Sequence, residues 1–275
     1  MSGVLETQVT GRVLRLALNR PEKRNALNEE LSRALLEALE AADTDAGVGA
    51  VLLTGNGGAF CAGMDLREAL YGEIAVRMAP LHERLFTVIG RMRKPVVAAI
   101  RGAAIAGGTG LAANAHIVVA SDDAQFGLTE IRIGLWPVLI FPACALAMGE
   151  RRTTELALTG RLFGAAEAKD FGLVTEIVED PLARATELAE RLAAWSPEAM
   201  REGMAYISRI RGMSWDEAGA AGLAVRGRMM AGAECAFMAA ERRPPGRTSL
   251  RRRVRRTRPD RGRRRWPDCG SCRRR

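Results

Sequence analysis

One continuous stretch, residues 94–134, constrains the fold of this chain more than any other. Its two short apolar runs, 95–100 and 116–120, predict buried strands. Between them, the glycine-rich segment 106–110 leads into a predicted helix at 111–115. Glycines leave backbone N–H groups uncovered at a helix start, where the helix dipole is positive and an anion can be held. The stretch therefore predicts a strand, an anion-binding turn, a helix and a second strand.

In the largely apolar segment from Ala124 to Gly134, Glu130 is the single acidic residue. A carboxylate in apolar surroundings has a raised pKa, which suits it to acid–base catalysis. An anion hole with an acid nearby is the beginning of an active site. We therefore predict that Glu130 is a catalytic group.

Apolar periodicity in the rest of the chain predicts alternating strands and helices. Asn28 is placed to cap a helix whose apolar face carries leucines and alanines. Further strands are predicted at 13–18, 50–54 and 174–178, and further helices at 137–148, 153–158, 165–170, 182–195, 197–211 and 215–229. Repeated strand-then-helix units indicate an α/β fold.

Composition limits the class of protein. The apolar fraction of 48% is ordinary for a globular protein, and no run of eighteen apolar residues or signal segment is found. The five cysteines are widely scattered and odd in number, which favours free thiols in a reducing compartment over a disulfide framework. We therefore expect a cytoplasmic protein with no membrane partner.

The basic charge is confined to the C-terminal tail. Residues 242–275 carry sixteen arginines and two aspartates, a net +14, which leaves −5 on residues 1–241 from the total of +9. Such a segment cannot bury enough apolar surface to fold, so we predict that it is disordered. We interpret it as the product of a shifted or wrongly assigned reading frame, with an RNA- or membrane-binding arm as the alternative. Half a zinc site, Cys269-x-x-Cys272, has no second pair nearby.

Several motifs in order resemble the crotonase superfamily, the enoyl-CoA hydratases and isomerases. They are Asn19-Arg-Pro-Glu-Lys-Arg-Asn-Ala-Leu-Asn28, Gly58-Ala-Phe-Cys-Ala-Gly-Met-Asp-Leu66, the 94–111 segment and the run from Ala124 to Gly134. The resemblance implies an α/β superhelix of ββα units over residues 1–195. It also implies a helical region at 196–241 that forms a homotrimer, or a hexamer made of two trimers.

The resemblance also implies roles for particular residues. Backbone N–H groups of Met64 and Gly107 would hold the thioester oxygen of an acyl-CoA substrate. Contacts to CoA or the acyl group are implied for a second set of residues: Arg24, Ala26, Ala62, Gly63, Asp65, Leu66, Gly108 and Trp136. No metal, redox cofactor or nucleic acid is implied, since coenzyme A is part of the substrate.

One position departs from the pattern of the hydratases. They usually hold a water molecule between two glutamates, of which Glu130 matches the second. The first would fall at position 110, where this chain has Gly110. We therefore predict a hydratase that uses a single glutamate. Isomerases of the family, which move a double bond with one glutamate, are the alternative.

Two rival classes stay open at this stage. Gly108-x-Gly110-x-x-Ala113 formally matches a dinucleotide fingerprint, which would indicate a nicotinamide-dependent dehydrogenase. Its spacing to the preceding strand and to Asp122 fits poorly. A non-catalytic family member that binds CoA, or RNA through its tail, is the second rival. The missing acid at Gly110 keeps that rival open.

Overall fold

The computed structural model describes residues 3–69 and 72–231, which form two β-sheets surrounded by helices. The larger sheet has the strand order β1-β2-β3-β5-β7-β10, and the smaller has the order β4-β6-β8-β9. The strands are β1 (Leu5–Thr10), β2 (Val13–Leu18), β3 (Ala50–Gly55), β4 (Ala59–Cys61), β5 (Val96–Ile100), β6 (Ala103–Ile105), β7 (Ile117–Ala120), β8 (Gln125–Gly127), β9 (Leu162–Gly164) and β10 (Glu176–Ile177).

Helices follow most strands and continue alone toward the C-terminal end. They are α1 (Glu29–Thr44), α2 (Leu66–Ala69), α3 (Gly72–Val88), α4 (Gly107–Asn114), α5 (Phe141–Met148), α6 (Glu150–Thr159), α7 (Ala165–Asp170), α8 (Pro181–Ala193), α9 (Pro197–Arg209) and α10 (Trp215–Ala231). Short 3-10 helices cover Pro21–Lys23, Ile89–Arg91 and Glu130–Ile133. Among the described residues, no helix is long and apolar enough to cross a membrane.

The larger sheet is parallel except at its first pair, where β1 runs antiparallel to β2. Because successive side chains point to opposite faces of a strand, each strand serves two cores. On one face Leu53, Ala98 and Val118 join the main core, which also receives α1. On the other face Leu52 and Val97 pack with α8 in a smaller core. Burial on both faces explains the unbroken apolar runs of these strands.

The helix cap predicted at Asn28 is confirmed. Its Oδ1 accepts a hydrogen bond from Leu31 N at 3.0 Å, and α1 begins at the next residue. Predicted strands at 13–18, 50–54, 95–100 and 116–120 are also confirmed, within one residue at each end.

Four element predictions were wrong in extent. Helix α4 begins at Gly107 and not at 111, because the glycine-rich segment forms its first turn, and α6 begins at Glu150 and not at 153. The strand predicted at 174–178 is reduced to the two residues of β10, because the segment before it leaves the helix α7 through a left-handed turn at Gly172. The helix predicted at 137–148 begins only at Phe141. Pro137 lacks an N–H, and its carbonyl accepts the N–H of Phe141 in a turn that precedes the helix.

Two predictions concern residues that the structure describes in part or not at all. The tail 242–275 lies outside the described residues, as does 232–241, the last part of the predicted oligomerisation region. The remainder of that region, from residue 196, forms α9 and α10. The division into a core at 1–195 and a helical region stays a prediction.

Candidate active site

A cavity of about 510 Å³ opens where the smaller sheet meets α3 and α4. Most of its wall is apolar, with Phe86, Ile105 and Ile140 among the lining side chains. The lining residues with polar side chains are His82, Thr129, Glu130 and Arg132. An apolar pocket with a few polar groups is the usual form of a small-molecule site.

Two residues from different segments, Met64 and Gly107, both line this cavity. Leu27 bonds to Gly63 O and Asp65 N, on either side of Met64, at 2.7 and 2.9 Å. In a parallel pair of this kind the N–H of the middle residue, Met64, points to the opposite side. A Cβ built on Gly63 would lie only 3.3 Å from Gly107 N, so the two segments are in contact.

The direction of the Gly107 N–H is set by an unusual backbone conformation. Ala106, the residue before α4, has φ of 51° and ψ of −116°, a region that non-glycine residues rarely adopt. Thr109 holds this turn: its buried hydroxyl donates to Ala104 O at 2.6 Å and accepts from Gly127 N at 3.0 Å. Strained backbone of this kind persists where the surroundings over-determine it, typically at functional sites. In the described residues no side chain caps the start of α4, so its first N–H groups are available to a ligand.

The motif at 19–28 braces the segment that carries Met64. Asn25 is fully buried in a left-handed conformation and donates to Asn56 O and Ala59 O at 2.9 and 2.8 Å. Arg20 forms an ion pair with Asp65 at 3.1 Å and donates to Ala26 O at 2.6 Å. Both partners of this ion pair are largely shielded from solvent. The brace fixes the loop at 62–66 relative to the N-terminal segment.

The residues predicted to contact CoA gather in two places. Arg24 to Leu27 runs beside Ala62 to Asp65, joined by the bond from Ala62 N to Arg24 O at 2.9 Å. Of the predicted contact set, Ala62, Leu66 and Trp136 line the cavity, and Arg24 is exposed on the adjoining loop.

Gly108 has a structural reason to be glycine. A Cβ there would lie 2.1 Å from Cys61 O, so the residue packs α4 against β4. The carboxylate of Asp65 likewise has a structural role, because it forms the ion pair with Arg20. Their contact with CoA stays a prediction.

Glu130 is the acidic residue of the cavity wall. It begins the 3-10 helix Glu130–Ile133, and its Oε2 is buried without a hydrogen-bond partner in the described part of the chain. Burial raises the pKa of Glu130 above its usual value. A buried carboxylate oxygen without a partner is costly, and such groups call for a functional explanation. Because Glu130 lines the cavity, its carboxylate can accept a proton from a ligand there.

The space for a side chain at position 110 is already occupied. A Cβ on Gly110 would lie 2.2 Å from Cγ2 of Ile140, which is itself buried and lines the cavity. The branched side chain of Ile140 therefore stands where a second carboxylate would have to begin. The difference from the two-glutamate pattern of the hydratases therefore involves two residues, Gly110 and Ile140.

We expect Gly110→Ala to lower the free energy of unfolding by about 1–3 kcal/mol, the usual cost of overpacking a core. The added methyl group has no room beside Ile140. The double variant Gly110→Ala/Ile140→Ala, which removes the Cγ2 atom that the new Cβ meets, is the matched control. Denaturant unfolding of the double variant and of the two single variants gives the coupling free energy. Additive losses would mean that the two side chains do not compete.

Sequence analysis missed two aromatic rings of the cavity wall. His82 and Phe86, one turn apart on α3, lie with ring centroids 5.6 Å apart. His82 is 4% exposed, and its Nε2 lies 3.0 Å from Ser32 Oγ. The signal was present, because a histidine four residues before a phenylalanine shares one helix face with it. Only the packing of α3 against α1 reveals that this face lines a cavity.

Two other titratable groups, His116 and Cys61, are structural. His116 lies just before β7, and its Nδ1 accepts the Val96 N–H at 3.0 Å. Cys61 is fully buried, and burial raises the pKa of its thiol to about 12, so it packs and does not act as a nucleophile. Within residues 3–69 and 72–231, no cluster of side chains suits a metal ion.

The glycines of the apparent dinucleotide fingerprint face protein atoms. Gly108 abuts Cys61 and Gly110 abuts Ile140, which leaves neither glycine available to approach a pyrophosphate. The nicotinamide alternative therefore loses the backbone contacts on which it depends.

Comparison with known proteins supports the resemblance to the crotonase superfamily. The chain is 36% identical over 220 residues to mevalonyl-coenzyme A hydratase sidH of Aspergillus fumigatus, covering 75% of this chain and 79% of that protein. It is 35% identical over 219 residues to enoyl-CoA hydratase EchA19 of Mycobacterium tuberculosis, covering 76% and 81%. The crystal structure of an enoyl-CoA hydratase from Mycobacterium smegmatis superposes with a TM-score of 0.82 at 30% identity, over 89% of this chain and 99% of that one.

The sequence profile described as enoyl-CoA hydratase/isomerase matches residues 8–230, which is most of the chain. This match confirms the resemblance to the crotonase superfamily, and the solved structures confirm the α/β crotonase fold. The chain is an enzyme that acts on acyl-CoA thioesters, and it belongs to the enoyl-CoA hydratase/isomerase family.

Proposed function

We propose that this enzyme adds water to 2-enoyl-CoA thioesters with Glu130 as its acid–base carboxylate. The observation that carries the proposal is that Glu130, whose carboxylate is largely buried and incompletely hydrogen-bonded, lines the same cavity as Met64 and Gly107. The arrangement supplies a proton acceptor and two donors for a developing negative charge. The names of the related hydratases support water as the second substrate.

Each step of the reaction has a group to perform it. Glu130 takes a proton from water as the water oxygen bonds to C3 of the enoyl group. The electron pair of the C2–C3 double bond moves onto the thioester, and the N–H groups of Met64 and Gly107 bind the resulting enolate oxygen. Glu130 then returns the proton to C2, so that one water has been added in total. A single carboxylate is sufficient because it is regenerated in each cycle.

Isomerisation of 3-enoyl-CoA to 2-enoyl-CoA is the second candidate. It is favoured by the Ile140 side chain, which fills the place of a second acid and makes the wall beside Glu130 apolar. An ordered water needs two to four polar partners, whereas a proton moved between two carbon atoms needs only one carboxylate.

The two reactions are separated by incubating the purified enzyme with 2-enoyl-CoA and with 3-enoyl-CoA. A hydratase converts the first into a 3-hydroxyacyl-CoA, which is heavier by one water. An isomerase leaves the mass of the 3-enoyl-CoA unchanged and shifts its double bond. Turnover of neither thioester, with binding retained, would favour the non-catalytic alternative.

We expect the pH–rate profile to show one ionisation, with an apparent pKa above the ordinary value of a glutamate. The carboxylate form of Glu130 must accept the proton, so the rate falls as the pH drops through this raised pKa. Initial rates measured across the acidic range at saturating substrate test this expectation. Two coupled acidic ionisations would indicate a second carboxylate in the reaction.

We propose that the enzyme is a homotrimer or a pair of trimers, without metal or redox cofactor, in the cytoplasm. The support for an oligomer is the exposure of large apolar side chains on the C-terminal helices, with Trp215 94% exposed and Leu223 71% exposed. Light scattering of the purified chain measures the mass directly. A monomer would contradict the proposed assembly.

Truncation after Glu241 tests the arginine-rich tail. We expect unchanged Tm and unchanged turnover of the acyl-CoA thioester, because residues 242–275 carry no apolar periodicity with which to pack. RNA retention by the full chain, measured beside the truncated one, examines the RNA-binding alternative. A large loss of Tm would show that the tail packs against the body.

A further inference from the structure

His82 is a buried polar group that the proposed reaction does not use. It is 4% exposed and lines the same cavity as Glu130. Burial lowers the pKa of His82 to about 4, so the ring is neutral at physiological pH. A neutral imidazole has one donor nitrogen and one acceptor nitrogen. Its placement in a mostly apolar wall costs free energy unless a ligand or the protein satisfies both.

One nitrogen of this ring is held by the protein and the other is not. Nε2 lies 3.0 Å from Oγ of Ser32, which is fully buried on α1. In the described part of the chain Nδ1 has no hydrogen-bond partner, and it is not fully buried. Nδ1 therefore has solvent-accessible surface. The ring lines the cavity, so this surface belongs to the cavity wall.

The Ser32 hydroxyl determines which nitrogen carries the hydrogen. Its only hydrogen bond in the described residues is to His82 Nε2. A buried O–H that donates nowhere costs more than an unused lone pair, so the hydroxyl donates and Nε2 accepts. The hydrogen of the neutral ring is then on Nδ1. The cavity wall thus carries an N–H donor.

We propose that His82 is a specificity-determining residue, whose Nδ1–H donates a hydrogen bond to an oxygen on the acyl chain of the substrate. The ring lies one helical turn from Phe86, and a Cβ on the donor residue Gly107 would lie 3.1 Å from Cζ of Phe86. The oxygen is accordingly a few bonds beyond the thioester carbonyl. A hydroxyl oxygen and a carboxylate oxygen can both accept such a hydrogen bond. This inference rests on the proposed function, because it places the acyl group in this cavity.

The test compares three 2-enoyl-CoA thioesters of equal chain length that end in a methyl, a hydroxyl or a carboxylate group. For each variant, kcat/KM on each oxygenated substrate is divided by kcat/KM on the methyl substrate. In His82→Leu we expect the ratio for the preferred oxygenated substrate to fall about tenfold, the usual worth of one hydrogen bond. His82→Asn, which has nearly the shape of leucine but keeps an amide N–H near the position of Nδ1, restores much of it.

The ratio separates recognition from damage to the fold. An equal loss on all three substrates leaves it unchanged and would overturn the proposal. If the parent enzyme turned over none of the three substrates, the proposed function itself would be contradicted. The oxygenated substrate whose kcat/KM ratio falls more, the hydroxyl or the carboxylate one, identifies the acceptor oxygen.

Nitrogen-15 NMR of the unsubstituted enzyme provides a readout that needs no turnover. The chain has two histidines, and the His82→Asn variant assigns their signals. We expect the Nδ1–H form in the free enzyme, and a change in the Nδ1 shift when a saturated, oxygenated acyl-CoA binds. The Nε2–H form in the free enzyme would overturn the assignment of the donor.

Discussion

Glu130→Gln is expected to reduce kcat by roughly two to four orders of magnitude, the usual worth of a positioned acid–base group. Glutamine keeps the shape of the side chain but cannot exchange a proton. Binding of a saturated acyl-CoA is expected to persist, because the N–H groups of Met64 and Gly107 are untouched. Calorimetric titration and steady-state kinetics on both enoyl-CoA isomers measure the two quantities separately.

The same substitution is expected to raise the stability of the fold. The pKa of Glu130 is higher in the folded enzyme than in the unfolded chain because burial disfavours the charge. Its ionisation therefore costs folding free energy, a cost that is absent below the unfolded pKa and develops as the pH rises through the folded one. Glu130→Gln should melt at a higher temperature than the parent at neutral pH, and the difference should vanish below about pH 4.

Glu150→Gln is the matched control for this variant. Glu150 is an exposed acid at the start of α6, outside the cavity lining. We expect parent rates and parent stability from it. Near-parent rates from Glu130→Gln would show that another acid carries the proton. Glu150→Gln already tests Glu150, and Asp122 and Asp123 would be the next to replace.

Gly107→Pro is expected to lower kcat/KM at least about a hundredfold, since it removes one N–H donor from the enolate oxygen. Proline also crowds Phe86 and Leu27, whose side chains lie within 3.3 Å of a Cβ at this position. It further disfavours the backbone of Ala106, which precedes it.

Gly107→Ala isolates the effect of the lost donor. Alanine adds the same Cβ against Phe86 and Leu27 but keeps the N–H. The hundredfold loss is expected between the alanine and the proline variants, with circular dichroism confirming that both fold. Equal activities of the two folded variants would show that Gly107 does not supply the donor.

The large parallel sheet could be predicted from sequence because its strands are buried on both faces. The run 96–100 is apolar throughout, and the structure places every one of its side chains in a core. The smaller sheet could not be predicted because its strands are too short. Each of β4, β6, β8 and β9 has three residues, too few to show a periodic pattern of apolar side chains.

The site could be predicted where backbone chemistry marks the chain. Glycines near 107 and an isolated acid at Glu130 pointed to one pocket, and the structure brings both to a single cavity. Contacts between segments that are distant in the sequence have no comparable sequence signature. Nothing in the sequence indicates that Ile140 fills the space above Gly110, or that Ser32 of α1 meets His82 of α3. Only the packed fold determines these pairs.

The contact between Gly110 and Ile140 also limits which variants of this enzyme can be reached by single mutations. A glutamate introduced at position 110 would collide with Ile140 before its carboxylate could reach a water. A smaller residue at position 140 opens that space first, at the cost of a cavity. A laboratory selection for two-carboxylate hydration is therefore expected to pass through position 140 before position 110. Libraries that randomise both positions together avoid the unstable intermediate.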